Sequence, residues 1–283
     1  MYGVISPSEA PVGAARVVPA LLRARGRVKL GFVAAGGGTV LADLAEAGGY
    51  RVKFPRGPVP EAVVINTGGG MAGGDGLDIA VAMGEGATAT VTTQSAEKVY
   101  RADAAPAQIA VRLECAAGSA LAWMPQETIL FSGARLRRRL DADLHPTASL
   151  TLAETTVFGR LAMGERLGDG LFEDRWRIRR GGRLVLAETV RLDGLIADRL
   201  DRPALGGGAR AVATVLHVSP DATGRLDGVR AVLEGAACDV GAGAWNGLLV
   251  IRLADAEPSR LRRDLVILLA HLRGSVLPRV WQG

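Results

Sequence analysis

The 283-residue chain is poor in cysteine, histidine, lysine and aromatic residues. Its two cysteines, Cys115 and Cys238, and its three scattered histidines argue against a disulfide framework and against a closed tetrahedral zinc site, and they favour a reducing cytoplasm. No apolar run approaches the roughly 20 residues of a membrane-spanning helix, and residues 1–26 lack the continuous apolar stretch of a secretory signal. We therefore expect a cytoplasmic protein with no membrane partner.

Arginine supplies nearly all of the positive charge. Of 34 basic residues only Lys29, Lys53 and Lys98 are lysines, and 29 acidic residues leave a net charge of +5. The densest cluster, at residues 135–139, alternates with leucine, and an aromatic content of 4% is too low for the stacking surfaces that bind single strands. We expect a solvated strand face or a protein-docking surface and no nucleic-acid partner. A basic nucleic-acid-binding β protein, whose binding would fall steeply with salt, stays an alternative.

Glycine is abundant, with 38 residues, and it separates short apolar stretches. Within these stretches apolar and polar residues alternate, as at Leu77, Ile79, Val81 and Met83, and a period of two predicts half-buried strands. About ten to fourteen strands are expected in residues 27–195. They fall at residues 27–32, 50–54, 62–66, 76–83, 87–93, 108–113, 136–144, 149–157, 171–178 and 183–192.

The pattern changes after residue 195. Strands are predicted at 211–218 and 247–253, and apolar residues spaced by three and four predict helices at 226–238 and 258–273. We therefore expect a mainly β protein in three parts that form one structural unit. These are an N-terminal extension (1–26), a β-rich body (27–195) and a small C-terminal α/β portion with about two helices (196–283) packed on the body.

A glycine-rich loop at residues 66–75 follows a predicted strand. Gly68, Gly70 and Gly73 match the G-x-G-x-x-G dinucleotide fingerprint, but that fingerprint needs a helix directly after it, and the residues that follow alternate as a strand. A dinucleotide-binding oxidoreductase therefore stays only an alternative. We interpret the loop as a tight crossover between strands, for structure or for partner contact, with Gly68, Gly69, Gly70, Gly73 and Gly74 as its glycines. Asp75 at its end indicates a polar contact.

Further motifs follow this loop in a fixed order. They are Thr92-Thr93-Gln94, Lys98-Val99-Tyr100-Arg101, Trp123-Met124-Pro125-Gln126-Glu127, Phe158-Gly159-Arg160, Leu186-Ala187-Glu188 and Pro278-Arg279-Val280-Trp281. From about residue 27 to 281, the chain resembles the urease accessory protein family UreD, also called UreH. The resemblance implies a β-helix-like, helix-poor body with a small α/β portion, in agreement with the strand count.

The resemblance also implies a function. It implies a non-catalytic metallochaperone scaffold that is required for nickel insertion into apo-urease, in a complex with UreF and the GTPase UreG. It implies no tightly bound cofactor, with nickel only in transit. The acids it implies along the metal path are Asp75, Glu154 and Glu188. Oxygen ligands suit a divalent ion in transit, because a closed thiolate cage would trap it.

Residues in the matched motifs are candidates for partner contacts, with a structural role as the alternative for each. They are Lys98, Tyr100, Arg101, Gln126, Glu127, Arg279 and Trp281. The chain also departs from the family pattern, because Asn66-Thr67 replaces a double proline and Glu97 replaces a small hydroxyl residue. These departures predict a less rigid loop and an added charge that can narrow or ligate the metal path.

Overall fold

The computed structural model describes residues 23–282. The glycine-separated alternation produces strands throughout the first two thirds of the chain. They are β1 (Arg25–Ala35), β2 (Gly38–Ala47), β3 (Tyr50–Lys53), β4 (Glu61–Asn66), β5 (Gly76–Met83), β6 (Thr88–Thr93), β7 (Glu97–Val99), β8 (Ala107–Cys115), β9 (Ala120–Met124), β10 (Thr128–Leu130), β11 (Arg135–Leu144), β12 (Ser149–Phe158), β13 (Asp169–Arg180) and β14 (Arg183–Leu195).

Helices enter after β14. The remaining elements are α1 (Ile196–Leu200), β15 (Ala211–Val218), α2 (Leu226–Leu233), β16 (Asp239–Trp245), β17 (Leu248–Asp255) and α3 (Pro258–Arg273). Short 3₁₀ turns lie at Leu161–Met163, Ala222–Arg225 and Arg279–Trp281. The predicted N-terminal extension lies outside the described residues as far as residue 22.

The body is a β-solenoid-like stack of coils. Strands β1, β5, β8, β11 and β13 run parallel in one seven-stranded sheet, and β4, β6, β9 and β12 run parallel in a ten-stranded sheet. Antiparallel strands finish each sheet, with β2 and β14 at the edges of the first and β3 and β16 at the edges of the second. The β-helix-like, mainly β fold is therefore confirmed.

Glycine makes the corners of successive coils compact. Gly86 lies between β5 and β6, Gly118 lies between β8 and β9, and both have left-handed backbones with φ of 66° and 64°. The N–H of Gly86 donates to the carbonyl of Ala117 across 2.9 Å, so one corner stacks directly on the next. A residue with a side chain would be strained at either position, which explains part of the high glycine content.

The main core lies between the two sheets. It is built from inward-facing residues of both, such as Leu30, Val81, Leu113, Leu140 and Leu152, each at most 1% exposed. This follows from the period of two, because alternate residues of a strand face the same side. A charged side chain on an inner face is therefore an exception to the pattern.

A second core lies on the outer face of the ten-stranded sheet. There α3 packs against β15 and β17, and α2 packs against β16 and α3. Leu261, Leu265, Leu268, Leu269 and Leu272 of α3 are all buried. Gly274 ends α3 in a left-handed conformation with φ of 61°. The predicted helix at 258–273 and its buried face are therefore confirmed.

The sequence-based prediction of α2 was too long. We predicted a helix over 226–238, but α2 ends at Leu233 because the carboxylate of Asp264 in α3 accepts the N–H groups of Ala237 and Cys238 at 2.8 and 2.9 Å. The five-residue α1 was not predicted, and its first two N–H groups, those of Ile196 and Ala197, donate to the carbonyls of Gly168 and Leu167. Both differences arise from contacts between distant segments.

None of the helices in the described part of the chain has both the length and the apolar character needed to span a membrane. Both cysteines are buried, and neither forms a disulfide.

Candidate functional site

A cavity of about 280 Å³ lies between the β13–β14 end of the first sheet and strands β12, β15 and β17 of the second. Its wall combines apolar side chains, such as Phe158 and Leu192, with a few charged ones. The charged residues that line it are Arg138, Glu154, Asp174, Glu188 and Arg252. Two of the three acids expected on the metal path, Glu154 and Glu188, therefore share one cavity.

The buried end of the cavity is organised around Arg138. This residue lies between Leu136 and Leu140 on the inner face of β11 and is 5% exposed. Its guanidinium donates two hydrogen bonds to Asp174, from Nε to Oδ1 at 3.0 Å and from Nη2 to Oδ2 at 2.6 Å. The third nitrogen, Nη1, donates to Glu154 Oε2 at 2.5 Å. One cation therefore bridges two carboxylates from different sheets.

Two tryptophans complete this network. Trp123 Nε1 donates to Glu154 Oε1 at 2.8 Å, and Trp176 Nε1 donates to Asp174 Oδ1 at 3.1 Å. Indole N–H groups are donors only, so they fix the carboxylates without adding positive charge. The network as a whole carries one more negative charge than positive charge when both acids are ionised.

Burial sets the electrostatics of this cluster. It raises the pKa of Glu154, the single guanidinium of Arg138 opposes that rise, and Asp174 adds to it. For Arg138 burial would lower the pKa, but Asp174 and Glu154 together outweigh it and raise the pKa. Arg138 therefore stays charged. Because Arg138 is shared between two acids, the negative charge of ionised Glu154 is only partly compensated. A proton or a metal cation can compensate the rest.

The outer end of the cavity is closed by an ion pair between the sheets. Glu188 of β14 accepts two hydrogen bonds from Arg252 of β17, both 2.7 Å long. The side chain of Glu188 is 19% exposed and that of Arg252 is 54% exposed, so the pair reaches the surface. Because both side chains of this pair reach solvent, opening it costs less than opening the fully buried contacts of Arg138.

Asp75 lies away from the cavity. Its Oδ1 accepts the N–H of Ala24 at 2.8 Å, and its Oδ2 accepts the N–H of Ala72 at 2.7 Å. The polar contact expected of Asp75 is therefore to the backbone, where the carboxylate joins the glycine loop to the start of β1. Its place on a metal path stays a prediction, and the structure does not bring it together with Glu154 and Glu188.

The glycine loop crosses between sheets and is followed by β5, which begins at Gly76. A dinucleotide site of the fingerprint type needs a helix there, so the interpretation of Gly68, Gly70 and Gly73 as a dinucleotide fingerprint is wrong. Gly70 lies against Tyr100, since an added Cβ would come within 2.5 Å of the ring. The Tyr100 hydroxyl donates to the carbonyl of Gly69 at 2.9 Å. The lysine–tyrosine–arginine motif and the loop are thus one packed unit.

Glu97 forms a second buried polar cluster beneath this loop. Asn66 Nδ2 donates to Glu97 Oε1 at 2.8 Å, and the Tyr50 hydroxyl donates to Glu97 Oε2 at 3.4 Å. Burial raises the pKa of Glu97 to about 7, against smaller opposing effects of these two hydrogen bonds. The acid expected to add a charge at this position is thus held by neutral partners in a protein that favours its protonated form, and it lies outside the cavity.

The candidate partner residues divide into exposed and buried sets. Lys98, Arg101 and Arg279 are exposed, and Tyr100 is 37% exposed. Glu127 is half-buried and pairs with Arg262 at 3.1 Å, whereas Gln126 is buried at 5% exposure and Trp281 at 3%. Their partner roles stay predictions. As placed, Trp281 packs within the chain and donates to the carbonyl of Met124 at 3.1 Å.

Sequence reasoning missed Arg138, Asp174 and Arg252 as members of the cavity. The signal for the first two was available, because alternation puts Arg138 in line with Leu136 and Leu140, and puts Asp174 in line with Trp176. We had treated residues 135–139 as one surface cluster. That interpretation was wrong for Arg138, which points inward, whereas its neighbours Arg137 and Arg139 point outward.

The described residues contain no group of three or more histidine, cysteine, aspartate or glutamate side chains arranged to hold a metal ion. The acids of the cavity are instead held by guanidinium and indole groups. Chemically the arrangement offers exchangeable oxygen ligands and a deficit of positive charge, without a nucleophile next to a base.

Comparison with known proteins identifies the same family as the sequence motifs. Residues 24–282 match the family model described as UreD urease accessory protein. The chain is 51% identical over 272 residues to the urease accessory protein UreD of Methylobacterium sp. (strain 4-46), with 93% of this chain and 96% of the relative covered. It is 50% identical to the protein of that name from Xanthobacter autotrophicus, with 97% of this chain and 96% of the relative covered. It is also 50% identical to urease accessory protein UreD 1 of Methylobacterium radiotolerans, with all of both chains covered.

Proposed function

We propose a function from the premise that the chain belongs to the UreD family of urease accessory proteins, whose role is in urease maturation. The chain acts as a non-catalytic scaffold, in a complex with UreF and the GTPase UreG. Through this scaffold nickel passes to apo-urease. The observation that best supports the passage of nickel is the cavity that Glu154 and Glu188 share.

The charge of the cavity suits a cation in transit. Arg138 satisfies Asp174 with two hydrogen bonds but gives Glu154 only one, so the network has one negative charge in excess when both acids are ionised. A divalent cation entering the cavity would relieve this excess. Because the acids already have hydrogen-bond partners, the cation would be held only weakly and would pass on.

In this proposal nickel enters the cavity at the Glu188–Arg252 pair. Nickel approaching from the surface competes with Arg252 for the two oxygens of Glu188, and the displaced guanidinium stays in water because it is half-exposed. Carboxylate oxygens bind nickel less tightly than imidazole or thiolate, so transfer to the next ligand is not prevented by tight binding. Glu154 is that next ligand, deeper in the same cavity.

The exposed motif residues supply the contacts with UreF and UreG in this proposal. Lys98 and Arg101 flank Tyr100, whose ring lies edge-on to Phe131 at a centroid distance of 5.1 Å. Arg279 lies in the last turn beside the buried Trp281. A packed aromatic ring between exposed charged side chains is a suitable anchor for a protein interface.

The test is nickel loading of urease after co-expression with UreF, UreG and variants of this chain. Glu188→Gln and Glu154→Gln keep the size of each side chain but remove the charge that nickel needs. We expect a several-fold lower nickel content and activity of urease, with UreF still co-purifying. Glu114→Gln is the matched control, because Glu114 is an exposed outward residue of β8.

Two results would contradict the proposal. Unchanged nickel content with both variants would exclude the cavity as the path while leaving the scaffold role intact. Full urease activation in cells lacking this chain, together with no co-purification of UreF, would exclude the scaffold role itself.

A further inference from the structure

The outer face of the seven-stranded sheet carries a group of arginines that the proposed function does not use. We define this basic face by five residues on four strands: Arg25, Arg27, Arg112, Arg139 and Arg175. All five are exposed, and none forms an ion pair with a carboxylate among residues 23–282. The face is therefore a concentration of unneutralised positive charge.

The strand register fixes the spacing of these charges. Arg27 of β1 is paired in register with Asp78 of β5, which is followed across the sheet by Ala110, Arg139 and Arg175. Neighbouring strands lie about 4.8 Å apart, so these side chains form a straight row across the sheet. The row is rigid because every strand in it is hydrogen-bonded on both sides.

The middle of the face is recessed. Small residues, Ala80 and Ala110, lie between the arginines, and the resulting groove has a volume of about 630 Å³. Two acids, Asp78 and Asp141, also lie along it and form no ion pair within the described residues. The groove is thus predominantly basic, with two acids at fixed positions beside arginines, since Asp78 is in register with Arg27 and Asp141 with Arg112.

This mixed pattern fits a protein surface better than a nucleic acid. A phosphate backbone is uniformly negative and would be repelled at Asp78 and Asp141, whereas an acidic protein surface can present a lysine or arginine opposite each of them. The arginines also alternate with alanine and glycine instead of with aromatic rings, so bases would find no stacking surface.

We propose that the basic face is the docking surface for an acidic patch of apo-urease. This inference rests on the proposed function, in which the chain must bind the enzyme and then release it. An interface made of exposed charges associates quickly through electrostatic steering and dissociates readily, which suits a partner that leaves after loading. Persistent partners are better served by apolar contacts.

The experiment compares two double variants that change the net charge equally. Arg112→Glu with Arg139→Glu reverses charge on the basic face. Arg202→Glu with Arg263→Glu does so at exposed arginines of the C-terminal portion. The complex of the full chain with UreF is passed over immobilised apo-urease, and the association rate is measured at about 0.1 M and about 1 M salt, where the Debye length falls from about 10 Å to about 3 Å.

We expect the face variant to associate about tenfold or more slowly than wild type at low salt and to lose its salt dependence, while the control changes about twofold or less. Thermal unfolding of both variants confirms that they are folded. Equal loss in both variants would overturn the proposal, because net charge alone would then explain it. A second result would also overturn it. In that result wild type and the control bind duplex DNA and the face variant does not, while the face variant still binds apo-urease.

The same variants separate this inference from the proposed function. If wild type activates urease in co-expression and the face variant does so equally well, the docking surface is wrong and the scaffold role stands. If wild type itself neither binds nor activates urease, both are wrong.

Discussion

Asn66 donates a hydrogen bond from Nδ2 to Oε1 of Glu97 across 2.8 Å, so two positions at which the chain departs from the family pattern touch each other. The same amide nitrogen donates to the Tyr50 hydroxyl at 3.0 Å, and Asn66 Oδ1 accepts the N–H of Gly68 at 2.9 Å. The asparagine therefore links a buried acid to the glycine loop. The two departures compensate each other, since Asn66 supplies the donor that Glu97 needs.

We predict that Glu97→Gln stabilises the protein in alkaline solution. Burial raises the pKa of Glu97 from 4.5 to about 7 in the folded chain, so folding favours the protonated acid. Its contribution to stability is complete below pH 4.5 and is lost as pH rises through 7. Glutamine is neutral at every pH, so at pH 8 the variant should gain up to about 3 kcal/mol.

Urea unfolding between about pH 4.5 and pH 8 measures this effect. The difference between Glu97→Gln and wild type should shrink steadily as pH falls. Glu85→Gln is the control, because Glu85 is exposed in the turn between β5 and β6 and should show no such trend. A difference that is the same at every pH would mean that Glu97 is not held with a raised pKa.

The strands that could be predicted from the sequence are those with one buried and one exposed face. The alternation at β5, β8 and β11 predicted their positions to within two residues. By contrast, β2 is exposed on most of its length, including Val40 and Leu44, so it carries no alternating signal. The short β7 and β10 pair with each other, and β10 also pairs with β12, which no local pattern encodes.

Arg138→Met should be strongly destabilising. It removes the only guanidinium of the buried network and leaves Asp174 and Glu154 facing each other without a cation. Breaking a buried ion pair from one side costs about 3–5 kcal/mol. Arg137→Met is the matched control, since Arg137 is the exposed neighbour on the same strand, and it should change stability by less than about 0.5 kcal/mol.

Chemical denaturation of both variants at neutral pH gives the comparison. Equal losses of unfolding free energy from the two substitutions would show that Arg138 does not stabilise the buried network. The same measurement at lower pH adds a check, because protonating Glu154 should reduce the cost of losing Arg138.

The candidate site was only partly accessible from the sequence. The matched motifs identified Glu154 and Glu188, but they gave no reason to expect that the two line one cavity while Asp75 does not. That grouping depends on which strands the coils bring together, namely β12 and β14 across the two sheets. Arg252 was missed because its partner, Glu188, lies 64 residues earlier in the chain.

Within the glycine loop, Gly70→Ala should cost far more than Gly69→Ala. An alanine Cβ at position 70 would lie 2.5 Å from the Tyr100 ring and 2.7 Å from the Lys98 carbonyl oxygen, at a φ of 152°. Overpacking and backbone strain together should cost about 2–4 kcal/mol. At position 69 nothing lies within 4 Å of the added Cβ, so only the left-handed backbone is strained, at about 1 kcal/mol.

Thermal unfolding of the two alanine variants tests this difference. Equal melting temperatures would indicate that the loop is free to move away from Tyr100, and the proposed packing of loop and motif would then be incorrect.

Trp281→Ala should destabilise the protein by about 3–5 kcal/mol, because the indole is a structural anchor. Its Nε1 donates to the carbonyl of Met124 at 3.1 Å, and its ring is covered by the guanidinium of Arg262 at 5.0 Å. Trp245→Ala is the control, since that ring is 44% exposed and its loss should cost about 1 kcal/mol or less. Urea unfolding distinguishes the two. A small effect at Trp281 would mean that the last turn is only loosely attached. In that case the exposed Arg279 beside it would have no fixed position from which to contact UreF, and Arg279→Ala should leave UreF binding unchanged.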